Sequence, residues 1–112
     1  MNSIIESPFR QVTITPKSGF IIRINTLKIV NGVLVGSLQV TCEGETVTFP
    51  VNTWTQVGTI DIHPPSTIQV MALNPGDCYY FGVVSIIADG TISVYPKITA
   101  RSAYFSFSNP MT

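Results

Sequence analysis

Apolar residues recur at every second position along most of the chain, and no window shows the 3.6-residue period of a helix. Residues 20–30 and 33–41 flank Asn31-Gly32, and residues 79–88 and 91–95 flank Asp89-Gly90. Both dipeptides suit the two left-handed positions of a type I′ turn, so each predicts a tight β-hairpin. Residues 46–51 alternate with Val47, Phe49 and Val51 on one side, which predicts a further strand. Residues 54–62 and 67–73 read as two more, separated by His63-Pro64-Pro65-Ser66, which cannot continue a ladder. A strand at 103–108, with Phe105 and Phe107 pointing the same way, closes the chain, and one near 11–15 opens it. The expected fold is all-β: an antiparallel β-sandwich, jelly-roll-like, of about eight or nine short strands. It is expected to be a single domain over residues 1–112, with loose ends near 1–8 and 109–112.

Two segments break the simple alternation. In residues 20–30 the apolar side runs Phe20, Ile22, Ile24 and then changes phase to Leu27 and Ile29. A period of two changes phase only through a bulge or a bend, expected here near Asn25-Thr26. Residues 79–88 are apolar on both sides, with Phe81, Val83 and Ile87 on one and Tyr80, Val84 and Ile86 on the other. A strand with one solvated side should be polar there, so this one calls for a second cover. In a chain of 112 residues a neighbouring subunit is the expected source.

Composition adds to that expectation. Charged residues are 11% of the chain, against about 25% in an ordinary soluble domain, and the formal net charge is zero. Weak colloidal repulsion of this kind is tolerated by a surface rich in Ser, Thr, Asn and Gln, and by burying part of it in an oligomer. The six Lys and Arg are scattered and matched by six acids, which leaves no basic patch for a phosphate backbone and excludes nucleic acid. No apolar run approaches the ~18 residues of a membrane span. Residues 1–6 lack the basic and apolar regions of a signal peptide. The expectation is a protein that stays in the cytoplasm where it is made, leaves by lysis, or is cut from a longer chain. Cys42 and Cys78 match no zinc or redox spacing and read as small buried thiols.

Groups suited to catalysis are few. The single histidine, His63, follows Asp61 at a spacing that places both on one side of a strand, about 7 Å apart. A dyad built on them would need Ser66 or Cys78 as nucleophile, and no motif frames either, so a non-enzymatic role is expected. Asp61, His63, Asp77 and Asp89 fall in no metal-binding spacing, and no metal or cofactor is expected. The aromatics Trp54, Tyr79, Tyr80, Tyr95 and Tyr104 have an apolar face and a polar tip suited to stacking on sugar rings. Trp54, at a strand start, is expected to plug the core, and Tyr79, after a turn, to be exposed. Binding is expected on the loops at 63–66, 74–80 and 99–104, because a sheet scaffold holds such loops in place. Asp77, Tyr79, Arg101 and Tyr104 are the candidate ligand contacts.

Four stretches together resemble a known family. They are Leu27 to Val35 with its Asn31-Gly32 turn; Trp54-Thr55-Gln56-Val57-Gly58-Thr59-Ile60 followed by Pro64-Pro65-Ser66; Phe81 to Ile92; and Tyr104-Phe105-Ser106-Phe107-Ser108. In this order they are similar to C-terminal head domains of phage and prophage tail fibres and receptor-binding proteins, especially those of Gram-positive hosts. The likeness spans residues 19–108. It implies a β-sandwich head, usually a homotrimer, at the tip of a virion appendage assembled in the host cytoplasm. Such a head binds host-surface saccharide or protein and contacts other tail or baseplate proteins. No collagen-like repeat or coiled-coil shaft accompanies it, so the chain would be a head alone or an excised piece. These domains share no fixed binding motif, and no residue inherits a ligand role from them. Two alternatives stand beside this expectation: a purely structural baseplate or fibre module, and a carbohydrate-binding module of a secreted bacterial protein.

Overall fold

The computed structural model describes residues 9–77 and 79–111, and within them the alternating pattern becomes ten antiparallel strands and no helix. In chain order they are β1 (Phe9–Gln11), β2 (Ile14–Pro16), β3 (Phe20–Asn25), β4 (Lys28–Val30), β5 (Val33–Cys42), β6 (Thr55–Ile60), β7 (Ile68–Leu73), β8 (Tyr80–Ile86), β9 (Thr91–Pro96) and β10 (Ser102–Pro110). They form one curled sheet in the order β1-β4-β5-β10-β7-β8-β9-β6-β2, with β3 also on β5, in line with β4. The sheet folds over at the β10–β7 junction, where the single register pair is Tyr104 with Leu73. Side chains from both arms, among them Leu38, Val40 and Phe105 from one and Val84, Ile92 and Val94 from the other, meet in one buried cluster. The architecture is thus all-β and sandwich-like.

The stretch 9–16 joins the two ends of this sheet. Its first half pairs with β4 and its second with β6, and Val12 is buried at the crossover. Asp61 holds the crossing in place by accepting the Thr13 N–H (2.9 Å) and a bond from the Arg10 guanidinium (3.2 Å). By switching partners in this way the stretch adds a short strand to β4 at one end of the sheet and to β6 at the other.

The hairpins are where the glycines place them, but they differ in kind. Asn31 and Gly32 have φ of 52° and 79°, the signature of a type I′ turn between β4 and β5. At the β8–β9 turn only Gly90 is left-handed (φ 91°), which corrects the expectation of a second type I′ turn. There the Gly90 N–H donates to the Ile87 carbonyl (2.9 Å) and the Asp89 carboxylate accepts the Thr91 N–H (2.9 Å). An Asx bond of this sort holds aspartate in an ordinary right-handed turn and leaves only the next residue left-handed. The bond from the Thr91 backbone, then that from its hydroxyl, with the nearby His63 adding to them, lower the pKa of Asp89. A lowered carboxylate stabilises the turn fully above its unfolded pKa, and that support is lost as pH falls through the lowered folded value. The Thr91 amide resonance is therefore expected to titrate with a midpoint below the ordinary carboxylate range, and in Asp89→Ala the titration should disappear.

Several sequence expectations are corrected by the backbone. The phase change in residues 20–30 occurs at Arg23, between the pairs Ile22–Val40 and Ile24–Gln39, two residues before the expected place. Ile24 consequently points outward and is 39% exposed, while Leu27 and Ile29 turn in. Residues 46–51 form no strand: Pro50 lacks a ladder donor, and Phe49 alone is buried, its ring stacked 5.9 Å from Phe20. Val47 and Val51 remain exposed. At the C-terminus β10 continues through Asn109 and Pro110, paired with Leu34 and Val33, so that end is not loose as far as the structure describes it. Residues 1–8 and Cys78 lie outside the described residues. The count of ten strands, rather than eight or nine, arises because two expected strands are divided, at Val12-Thr13 and at Thr26-Leu27, while the one at 46–51 is lost.

Candidate functional site

Paired residues in an antiparallel ladder share a face, so the register fixes which side chains line up across β6 to β9. Gly82, Val84 and Ile86 of β8 face the core with Ile92, Val94 and Pro96 of β9. Phe81 has no partner in β7, where the register shifts between Ala72 and Leu73, and its ring turns into the core. The outward positions form a row of another character: Met71 of β7, Val83 of β8 and Tyr95 of β9 lie side by side. Trp54, immediately before β6, extends the row, with its ring 5.2 Å from that of Tyr95 and tilted 53° to it. Met71 is 60% and Trp54 48% exposed. The Lys97 ammonium sits 5.9 Å from the centre of the Tyr95 ring, within the range of a cation–π contact.

On one side of this row runs a second, of amides and hydroxyls: Gln69, Ser85, Ser93 and Gln56. On the other side Leu73 pairs with Tyr80 on β8 and with Tyr104 on β10. The two sides of β8 expected from the sequence are therefore regrouped: Phe81 joins Val84 and Ile86 in the core, while Val83 faces outward and Tyr80 is 46% exposed. Strands β6 to β9 contain no charged residue at all. In comparisons with known protein families, curated proteins and solved structures, the chain has no match.

The four residues singled out from the sequence do not converge. Asp77 accepts the Tyr79 N–H (2.9 Å) and thereby shapes its own turn, and Tyr79 stands 64% exposed on it. Arg101 donates through one nitrogen to the Gly44 carbonyl (2.7 Å) and the Cys42 carbonyl (3.2 Å), tying the 42–44 turn to the start of β10. Tyr104 donates its hydroxyl to Ser37 (3.0 Å), which in turn meets Ser106 (3.0 Å). Of these four only Arg101 lines the cleft of about 340 Å³ that the turn at Asn74-Pro75 forms with Gln39 and residues 100–102. The guanidinium is thus part of the scaffold of the cleft.

Asp61 and His63 are drawn to different elements. Asp61 faces Arg10 and Thr13, and the His63 Nδ1 lies 3.2 Å from the Ala88 carbonyl. Cys42 is buried, and burial pushes its thiol above its usual pKa, with the Arg101 charge pulling less strongly the other way. Among the described residues no three His, Cys, Asp or Glu side chains gather as a metal ion would need.

The outer aromatic face was only half visible beforehand. Trp54, expected in the core, is exposed because it precedes β6 and lies opposite outward-facing Tyr95 rather than inward-facing Val94. Met71 carried no signal as a single residue. The pattern that reveals it is the alternation Gln69-Met71-Leu73 read against Ile68-Val70-Ala72.

Proposed function

We propose that this domain is a non-enzymatic receptor-binding head of a phage or prophage tail fibre, attaching the virion to saccharide on the surface of its host. The observation that carries the reading is exposed Trp54 packed against half-buried Tyr95 in an aromatic and apolar row on an uncharged sheet face. Large exposed apolar patches are rare on soluble domains and mark interaction surfaces. The likeness of the hairpin, tryptophan and closing-strand segments to tail-fibre heads supports the same reading.

Such a head would act as a homotrimer on a tail appendage, alongside other tail or baseplate proteins. A low charge and the exposed Val47 and Val51 of the 43–53 loop, with exposed Ile98, support subunit contacts. Several weak sites on one rigid particle then attach by avidity, without a tight single contact. The test is fluorescently labelled domain, trimerised if it is not already so, applied to a panel of intact Gram-positive cells. Labelling of some strains, surviving protease treatment of the cells and lost on removal of wall carbohydrate, is the expected result. A domain that labels no strain is a structural spacer, and the attachment role is then wrong.

A further inference from the structure

We infer that the outer face of β6 to β9 is a platform for an uncharged, unbranched glycan chain lying across the strands along the Met71–Val83–Tyr95–Trp54 row. The inference rests on the attachment role above and names the ligand class and the site. Charge is the first argument. The four strands carry no charged residue, and the cation beside the row, Lys97, already sits against the Tyr95 ring. An anionic polymer would find no set of bases to replace its counterions, whereas a neutral chain leaves no charge unpaired.

The second argument is the pairing of two unlike rows. A pyranose ring has an apolar C–H face and a rim of hydroxyls. The aromatic row offers a surface for that face, and the adjacent amides and hydroxyls of Gln56, Ser93 and Gln69 offer donors and acceptors for the rim. A second copy of this chain would be the poorer fit, because subunit interfaces are most apolar at their centre and here a row of amides and hydroxyls runs directly beside the apolar one. Size agrees: four neighbouring strands span about 14 Å, the length of a short oligosaccharide. The 53° tilt between Trp54 and Tyr95 also argues for a single twisted chain over the flat surface of a crystalline polymer.

Trp54 is the single tryptophan of the chain, so its emission reports this site alone. The experiment titrates the native protein with neutral oligomers of glucose, N-acetylglucosamine, galactose and rhamnose, and with uronic-acid oligomers of matched length. A saturable change in Trp54 emission with a neutral oligomer, weakened about three- to tenfold by Tyr95→Ala, is the expected result. If Tyr95→Ala fails to fold, Met71→Gln at the exposed end of the row serves instead and should also weaken binding. Response to no neutral oligomer, response to uronic acids alone, or weakening by Tyr79→Ala in place of Tyr95→Ala would each overturn the inference. A blue shift of Trp54 with protein concentration that Met71→Gln abolishes would assign the face to a second copy and overturn it too. Cells labelled equally by native and Tyr95→Ala protein would leave the attachment role standing while this site falls; no labelling and no sugar response would remove both.

Discussion

Phe105→Ala is expected to destabilise the domain by about 3–5 kcal/mol, the usual loss for a phenylalanine removed from a packed core. The ring is fully buried, lies opposite Leu38 across the β10–β5 ladder, and meets Phe107 edge-on at 5.6 Å. It also sits near the fold-over between the two arms, where β10 and β7 share the single pair Tyr104–Leu73. Backbone hydrogen bonds are sparse at that junction, so side-chain packing has to hold the arms together, and neighbouring strands cannot collapse easily into the cavity. Domains of this size are stable by about 5–15 kcal/mol, so the loss is a large fraction of the whole. Urea unfolding should show a lowered midpoint with an unchanged slope. A shift under about 1 kcal/mol would mean that the two arms are held by something other than this core.

Gly36→Ala is expected to be nearly as damaging for a different reason. Gly36 lies in β5 at φ 126°, a region that residues with a side chain rarely enter. A Cβ there would collide with the Thr26 carbonyl oxygen and come within 2.9 Å of the Leu27 Cα. Thr26 and Leu27 are where the chain passes between β3 and β4, and the Thr26 N–H donates to the Ser37 carbonyl (3.0 Å) at that break. The glycine therefore makes room for the close passage of Thr26 and Leu27 over β5. Strain and collision together should cost about 2–4 kcal/mol. Gly32→Ala separates the two contributions, because its φ is also positive (79°) but nothing lies within 4 Å of the added carbon. It should lose only about 1–2 kcal/mol. Equal losses at the two positions would show that the close approach of Thr26 is not what requires glycine.

The strands could be read from the sequence wherever local chemistry and tertiary demand agreed. Asn31-Gly32 specified its turn outright because both residues tolerate the positive φ that the turn requires. Residues 91–96 and 103–107 alternate cleanly, and Ile92, Val94, Phe105 and Phe107 are buried as the alternation implies. The failures came where one tertiary contact outweighed the pattern. Val47, Phe49 and Val51 look like one face of a strand, yet only Phe49 finds a partner, Phe20, and Pro50 keeps the segment out of the sheet. Ile24 belongs to an apolar series that the bulge at Arg23 interrupts, and periodicity shows that a bulge exists but not which residue it takes. Asn109 and Pro110 look like a tail because their pairing depends on the far end of β5.

The candidate site was harder to see for a related reason. The sequence points to the loops because a sheet scaffold holds them in place, yet Arg101 and Tyr104 spend polar atoms on bonds within the fold. The outer row becomes apparent only when the registers of β7, β8 and β9 are known, since Met71, Val83 and Tyr95 are far apart in the chain. The apolar second side of residues 79–88 is outward only in part: Tyr80 and Val83 lie on the outer face, whereas Phe81 joins Val84 and Ile86 in the core because of the register shift opposite Leu73.

The most direct test of the central claim is co-sedimentation of the domain with purified Gram-positive cell walls at low and high salt, comparing native protein with Trp54→Ala. Attachment through an uncharged aromatic face predicts binding that changes little between the two salt concentrations and is lost in Trp54→Ala. Binding that falls steeply with salt and is unaffected by Trp54→Ala would place attachment on charged groups elsewhere and contradict the account.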